Sequence, residues 1–225
     1  MKVSVIVPVY NTDRYVAESI DSVLAQTRPA DEVIVVDDGS TDRTPAILAG
    51  FGSRIVALRQ EHLGVSAALN TGLARATGDY LAFNDADDVW MPEKLEQQCE
   101  RLSKDPDLEA VFCQVRQFVS PDWQAEGSDL TERPHDQAGV IRQAMLIRRD
   151  AFDRVGPFDA SVRVEFIDWF GRAQVLGLRI CSLPEMLLLR RIHATNSGRL
   201  HARELREDSV HTLKRMLDLR RRGRV

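Results

Sequence analysis

The sequence has no glycine-rich phosphate loop. Neither G-x-G-x-x-G nor G-x-x-x-x-G-K-[ST] follows the first apolar run, which excludes the dinucleotide-binding and P-loop ways of cradling phosphate on backbone amides. Its three cysteines, Cys99, Cys113 and Cys181, are odd in number and lack zinc-type spacing, so neither a disulfide framework nor a zinc ribbon is expected. Excess charge is small, −4 over 225 residues, which argues against nucleic acid as a main partner. Long hydrophobic runs are missing too. The apolar run behind Met1-Lys2 stops at Pro8, too short for a signal peptide or a membrane span, and the chain is expected to be cytoplasmic. No internal repeat is present, and the length fits one domain with appendages.

What is present is an alternation. Val3-Ser4-Val5-Ile6-Val7 reads as a β-branched strand ended by Pro8, and Thr12 or Asp13 can cap a helix over 14–26 with Val16, Ile20, Val23 and Leu24 on one face. A second strand over 31–36 ends in Asp37-Asp38-Gly39-Ser40, and a helix over 44–48 follows, capped by Thr41 or Asp42. A third strand over 54–58, a helix over 64–76 and a fourth strand over 80–84 continue the pattern. Such alternation predicts an α/β fold, a Rossmann-like, mostly parallel central sheet with helices on both faces.

The fourth strand opens into Asn84-Asp85-Ala86-Asp87-Asp88, three carboxylates within four positions. Carboxylates this close repel and raise one another's pKa unless a cation neutralises them. Magnesium or manganese suits hard oxygen ligands and leaves room for phosphate oxygens. Helix capping ahead of Pro92 is the alternative reading, but it uses one Asp and leaves two unexplained. In open parallel sheets, ligands bind beyond the carboxyl ends of the strands. Pro8, Tyr10 and Asn11, then Asp37 and Asp38, then Asp85 and Asp87 all fall at such ends.

Past residue 91 the pattern is mixed. It reads as a helix over 92–103, a strand over 110–119, a polar excursion over 120–139, an apolar run over 144–147, and helices over 150–155 and 164–176. Two short strands over 178–183 and 186–190 and a terminal helix over 199–222 complete it. The domain therefore covers 1–198, and the extension over 199–225, with its Arg220-Arg221-Arg222 end, suits packing on its own domain, a homodimer or an anionic membrane surface.

Taken together and in order, Val7-Pro8-Val9-Tyr10-Asn11, Val36-Asp37-Asp38-Gly39-Ser40, the run Gly64 to Gly72, and Asn84-Asp85-Ala86-Asp87-Asp88 with Trp90-Met91-Pro92 make the chain similar to the family 2 glycosyltransferases with the GT-A fold, over residues 3–198. The resemblance implies inverting, metal-dependent transfer of a sugar from a nucleotide-sugar donor, UDP- or dTDP-linked, to a hydroxyl of a glycan, lipid-linked or peptide acceptor. It implies a nucleotide-sugar half over 1–90 and an acceptor half over 91–198. Pro8, Tyr10 and Asn11 would border the nucleoside, Asp38 would accept from the base imide, and Asn70 would support the loop or touch the donor. Asp85 would lie near the sugar and, with Asp87 and His193, serve Mn2+ or Mg2+, while Arg190 and Arg191 would face phosphate. Family members place an acidic pair at a helix start, where this chain has Glu165-Phe166-Ile167-Asp168; Glu165 is the expected base and Asp168 its alternative.

Plainer roles stand beside these. Tyr10 can be an aromatic at the core edge, Asp37 and Asp38 can tie a turn, and Asp168 can pair with Arg172 one helical turn on. Leu69 stands where members often carry Arg, and Phe166 where the second acid belongs. These departures motivate a second reading, a binding protein of the same fold without turnover. A sugar-phosphate nucleotidyltransferase ranks third, because residues 8–14 lack the glycine-rich basic loop it would need.

Overall fold

The computed structural model describes residues 1–121, 123, 137–193 and 196; most of the polar excursion and the whole terminal helix with its basic end lie outside the described residues. Four parallel strands, β1 (Val3–Val9), β2 (Glu32–Asp37), β3 (Val56–Arg59) and β4 (Tyr80–Phe83), lie in the order β3-β2-β1-β4. Every residue of β1 is buried, as a continuous Val/Ile run requires of a strand covered on both faces. The connections are α1 (Val16–Leu24), α2 (Thr44–Gly50) and α3 (Val65–Arg75). Gly72 lets α3 sit against the sheet, since a Cβ there would lie 2.5 Å from Ile6 Cγ2.

From β1 the chain moves outward through β2 and β3, then returns to the other side of β1 as β4. That reversal opens a crevice beyond the carboxyl ends of β1 and β4. The acidic turn follows β4 directly, so the topology delivers it to this crevice.

The second half extends the same sheet with mixed polarity. β8 (Leu146–Arg148) pairs antiparallel with β4, followed by β6 (Ala110–Val119), β9 (Ile180–Ile192) and β5 (Val89–Trp90), and β7 (Gln137–Ala138) pairs with β6. The helices here are α4 (Lys94–Lys104), packed on β6, α5 (Arg149–Val155), packed on β8, and α6 (Glu165–Val175), packed on α5. Phe152, Phe158, Phe166, Trp169 and Phe170 stack or meet edge-on, and Phe112 of β6 joins them. No helix among the described residues is long and apolar enough to cross a membrane.

Three expectations are corrected. The two strands over 178–183 and 186–190 are one strand, β9; its register on β6 slips between Ser182 and Met186, and Pro184, which has no N–H for a ladder, sits in that slip. β1 does not end at Pro8 but runs through it to Val9, with Pro8 opposite Val36 and Val9 opposite Asp37. α1 starts at Val16, because the amides of Tyr15 and Val16 both donate to the Thr12 carbonyl and form a turn ahead of the helix, with no side chain capping it. Asp42, by contrast, does serve α2, its Oδ1 accepting from the Thr44 amide at 2.9 Å.

Candidate functional site

The rim at the carboxyl ends of β1 and β2 is tied together by short polar side chains. Pro8 is buried in β1 opposite Val36. Tyr10 is exposed, with its ring stacked on His62. Asn11 adopts a left-handed φ of 49°, donates its amide to Ser40 Oγ at 3.0 Å and accepts from the Thr41 amide at 2.8 Å, so it joins two rim loops. Asp37 is the turn residue, accepting from the Ser40 amide at 2.9 Å and pairing with Arg59 at 3.1 Å.

Asp38 is buried under the loop over 60–64. Its Oδ1 accepts from Gln60 Nε2 at 2.7 Å and the Leu63 amide at 2.9 Å; its Oδ2 accepts from the Gly64 amide at 2.8 Å and lies 2.9 Å from His62 Nδ1. A carboxylate offers about four lone-pair sites; three accept hydrogen bonds here, and His62 Nδ1, whose own hydrogen bond goes to the Asp38 backbone carbonyl at 3.1 Å, covers Oδ2. Gly39, at φ +81°, is what allows the loop so close: a Cβ would lie 2.9 Å from the His62 backbone nitrogen.

The acidic turn is braced from inside. The Asn84 amide donates to the Ile6 carbonyl, and its side chain donates to Ser19 Oγ at 3.0 Å and the Asp88 carbonyl at 3.2 Å. Oxygens of Asp85, Asp87 and Asp88 all lie within 4.8 Å of one another. Their surroundings differ. Asp85 accepts from the side chains of Arg142 and Gln143. Asp87 Oδ2 lies 2.9 Å from His193 Nε2 and accepts from Asn196 Nδ2 at 3.0 Å. Asp88 accepts from the Arg191 amide at 3.0 Å, and its burial, then the charges of Asp87 and Asp85, push its carboxyl well above the usual carboxylate range.

A divalent cation would relieve that repulsion. Carboxylate oxygens suit manganese or magnesium, and an imidazole nitrogen beside them suits manganese of the two; Asp87 with His193 would be the pair to hold such an ion, since Arg142 and Gln143 engage both oxygens of Asp85.

In the second half of the chain, Glu165 opens α6 and lies 2.5 Å from Arg142 Nη1. The Arg142 side chain is buried; burial opposes its charge, but Asp85 and Glu165 outweigh that and raise its pKa, so one fixed cation bridges both carboxylates. Sequence reasoning missed Arg142 and Gln143. The available signal was two polar residues interrupting the apolar stretch from Ile141 to Ile147.

Asp168 does not join this group. It is 1% exposed and paired with Arg172 at 2.9 Å, whose guanidinium also donates to the Val155 and Pro157 carbonyls. It anchors the turn ahead of α6, and its expected role as alternative base is corrected accordingly. Asn70 braces backbone, donating to the Phe158 carbonyl at 2.8 Å and accepting from the Phe158 amide at 3.1 Å. Arg191 does not face the crevice either. Its guanidinium donates to the Asp87 carbonyl at 2.9 Å and Ser120 Oγ at 3.2 Å, pairs with Glu18, and lies over Tyr15 and Phe118, supporting the acidic turn from beneath. Leu69 is fully buried, and Phe166 is half-buried and packs in the aromatic cluster.

A family model described as glycosyl transferase family 2 matches residues 4–156. The chain is 33% identical over 219 residues to an uncharacterized glycosyltransferase of Rickettsia prowazekii, covering 91% of this chain and 68% of that protein. Among solved structures, it is similar to the mannosyltransferase PcManGT from Pyrobaculum calidifontis in complex with GDP-Man and Mn2+ (TM-score 0.72, 23% identity, covering 95% of this chain and 64% of that one). It is also similar to S. aureus TarS 1-349 in complex with UDP (TM-score 0.69, 20% identity, covering 95% and 65%). At these identities the likeness to solved structures shows the GT-A fold. The chain thus spans about two thirds of the length of these relatives.

Proposed function

The chain belongs to glycosyl transferase family 2, and from that premise we propose that it is an inverting, metal-dependent transferase that moves a sugar from a UDP- or dTDP-linked donor to a hydroxyl of a glycan, lipid-linked or peptide acceptor. The observation that carries this reading is the grouping of Asp85, Asp87 and Asp88, with His193 beside Asp87, at the crevice beyond the carboxyl ends of β1 and β4. Solved relatives named for complexes with UDP and with GDP-Man and Mn2+ support a nucleotide donor and a divalent ion.

When bound, the cation would stabilise the negative charge growing on the diphosphate. Asp87 and His193 would hold it, and Asp85, in its pairing with Arg142 and Gln143, would face the sugar. Glu165 takes the proton of the acceptor hydroxyl as that oxygen bonds to the anomeric carbon. The bond from that carbon to the diphosphate breaks on the opposite face, and configuration inverts. Arg142 orients Glu165 relative to Asp85, so donor-side and acceptor-side carboxylates keep one geometry. The binding-only alternative rests on Leu69 and Phe166, and it is Glu165, held by Arg142 at the start of α6, that supports turnover over binding alone.

Calorimetric titration with UDP, dTDP, GDP and CDP, each with manganese and with chelator, tests the donor half; turnover of the matching nucleotide sugars tests the rest. Tight, manganese-dependent binding of one nucleotide is expected. Absence of binding under every condition would refute the proposal.

A further inference from the structure

We infer that His62 occupies the place of the nucleobase and is displaced when the donor binds, which makes it a specificity-determining residue of the site; this rests on the reading of Tyr10 and Asp38 as nucleoside contacts. The His62 ring stacks on Tyr10 with centroids 3.9 Å apart and planes 17° from parallel, leaving no room for a third ring between them. Its Nδ1 lies 2.9 Å from Asp38 Oδ2 and 3.1 Å from the Asp38 carbonyl oxygen. Both neighbours are acceptors, so Nδ1 carries the proton. His62 therefore offers a flat face to Tyr10 and an N–H to Asp38. A uracil or thymine offers the same two things, a ring face and an imide N–H.

The other donors to Asp38 cannot leave as easily. Two are backbone amides, of Leu63 and Gly64, and the third, Gln60, is itself held by Thr71 Oγ1 at 2.7 Å. The His62 side chain is 54% exposed and can swing out about its own side-chain bonds, with Gly39 keeping the loop backbone in place. Its departure uncovers Asp38 Oδ2, 2.9 Å from Nδ1, and one face of Tyr10, the two contacts an imide base requires. Cytosine would set its N3 lone pair against the carboxylate and is excluded by the same geometry.

The test is titration of the wild type, His62→Ala and His62→Phe with UDP and with CDP, manganese present, together with 1H–13C NMR of the histidine rings. His62→Ala is expected to bind UDP about threefold to tenfold more tightly, the size of a lost competing stack. His62→Phe, which keeps a ring on Tyr10, should gain less. All three should bind CDP more weakly than UDP. In the wild type, UDP should move the His62 ring signals away from the shifts imposed by Tyr10 and toward those of an exposed histidine. UDP binding with an unmoved His62 ring, or with unchanged or weaker affinity in His62→Ala, overturns this inference alone. Failure of every nucleotide to bind overturns the donor reading and this inference with it.

Discussion

Replacing Lys94 with methionine is expected to alter how stability depends on pH. Lys94 lies in α4 and is fully buried; its ammonium donates to Gln98 Oε1 at 3.0 Å and sits 3.8 Å over the Trp90 ring, neither of which carries negative charge. Burial lowers its pKa from 10.5 to about 8. The unfolded chain therefore holds a proton between pH 8 and 10.5 that the folded chain has lost, and stability must rise with pH across that window. Below about pH 8 both states are protonated, and the full cost of burying the charge applies, about 3 kcal/mol at 1.36 kcal/mol per unit. The methionine variant removes that cost. It also leaves Gln98 Oε1 without its donor, a loss of about 1–3 kcal/mol that does not vary with pH. Urea unfolding of both proteins at pH 7, 8, 9 and 10 separates the two effects. The wild type should gain about 2–3 kcal/mol on the variant between pH 7 and 10. Burial raises the pKa of Cys99 and Cys113 and the Lys94 charge partly offsets this at both, so their titration, which acts in the opposite direction, is coupled to Lys94; both proteins therefore carry Cys99→Ala and Cys113→Ala in this comparison. Stability differences that stay constant across the range would refute the reasoning, because Lys94 would then titrate as it does in water.

The remaining predictions concern the site. Asp87→Asn should abolish manganese-dependent nucleotide binding with little change in the unfolding midpoint, and retained manganese dependence would remove Asp87 from the metal site. Glu165→Gln should lower turnover by about a hundredfold or more at unchanged donor affinity; Asp168→Asn should instead lower the melting temperature, and the reverse pattern in the two assays would exchange their roles. Arg142→Lys keeps a charge but loses the forked geometry that spans Asp85 and Glu165, so kcat should fall about 10- to 100-fold. An unchanged kcat would make the bridge merely structural.

The parallel half of the sheet was legible because its strands are short apolar runs, each followed by an acidic pair or a polar turn. The acidic turn was legible from charge density alone. What escaped was what only tertiary contact decides. β9 reads as two strands around Pro184, because a slip in register leaves no mark on local hydrophobicity. Arg191, one residue before Ile192, looks from sequence like half of a phosphate-facing pair; its burial over Tyr15 and Phe118 depends on elements far away in the chain. Asn196 beside Asp87 and the Arg142 bridge carry no motif, and His62 carries none until the loop is seen folded over Gly39. Asp168 and Glu165 lie three residues apart on one helix, and only the Arg172 contacts separate a buried anchor from a side chain facing the crevice.

The late arrival of β9 bears on how the protein is made. Arg191 reaches Glu18, 173 positions earlier, and His193 reaches Asp87, 106 positions earlier. During synthesis, β1 to β4 can pair while the ribosome is still reading the second half, which leaves the acidic turn without its support from below for roughly 5–20 s at ribosomal rates. Metal affinity should therefore come as a late gain of the growing chain, and a nascent polypeptide halted ahead of β9 would display its carboxylates without the histidine and arginine that organise them.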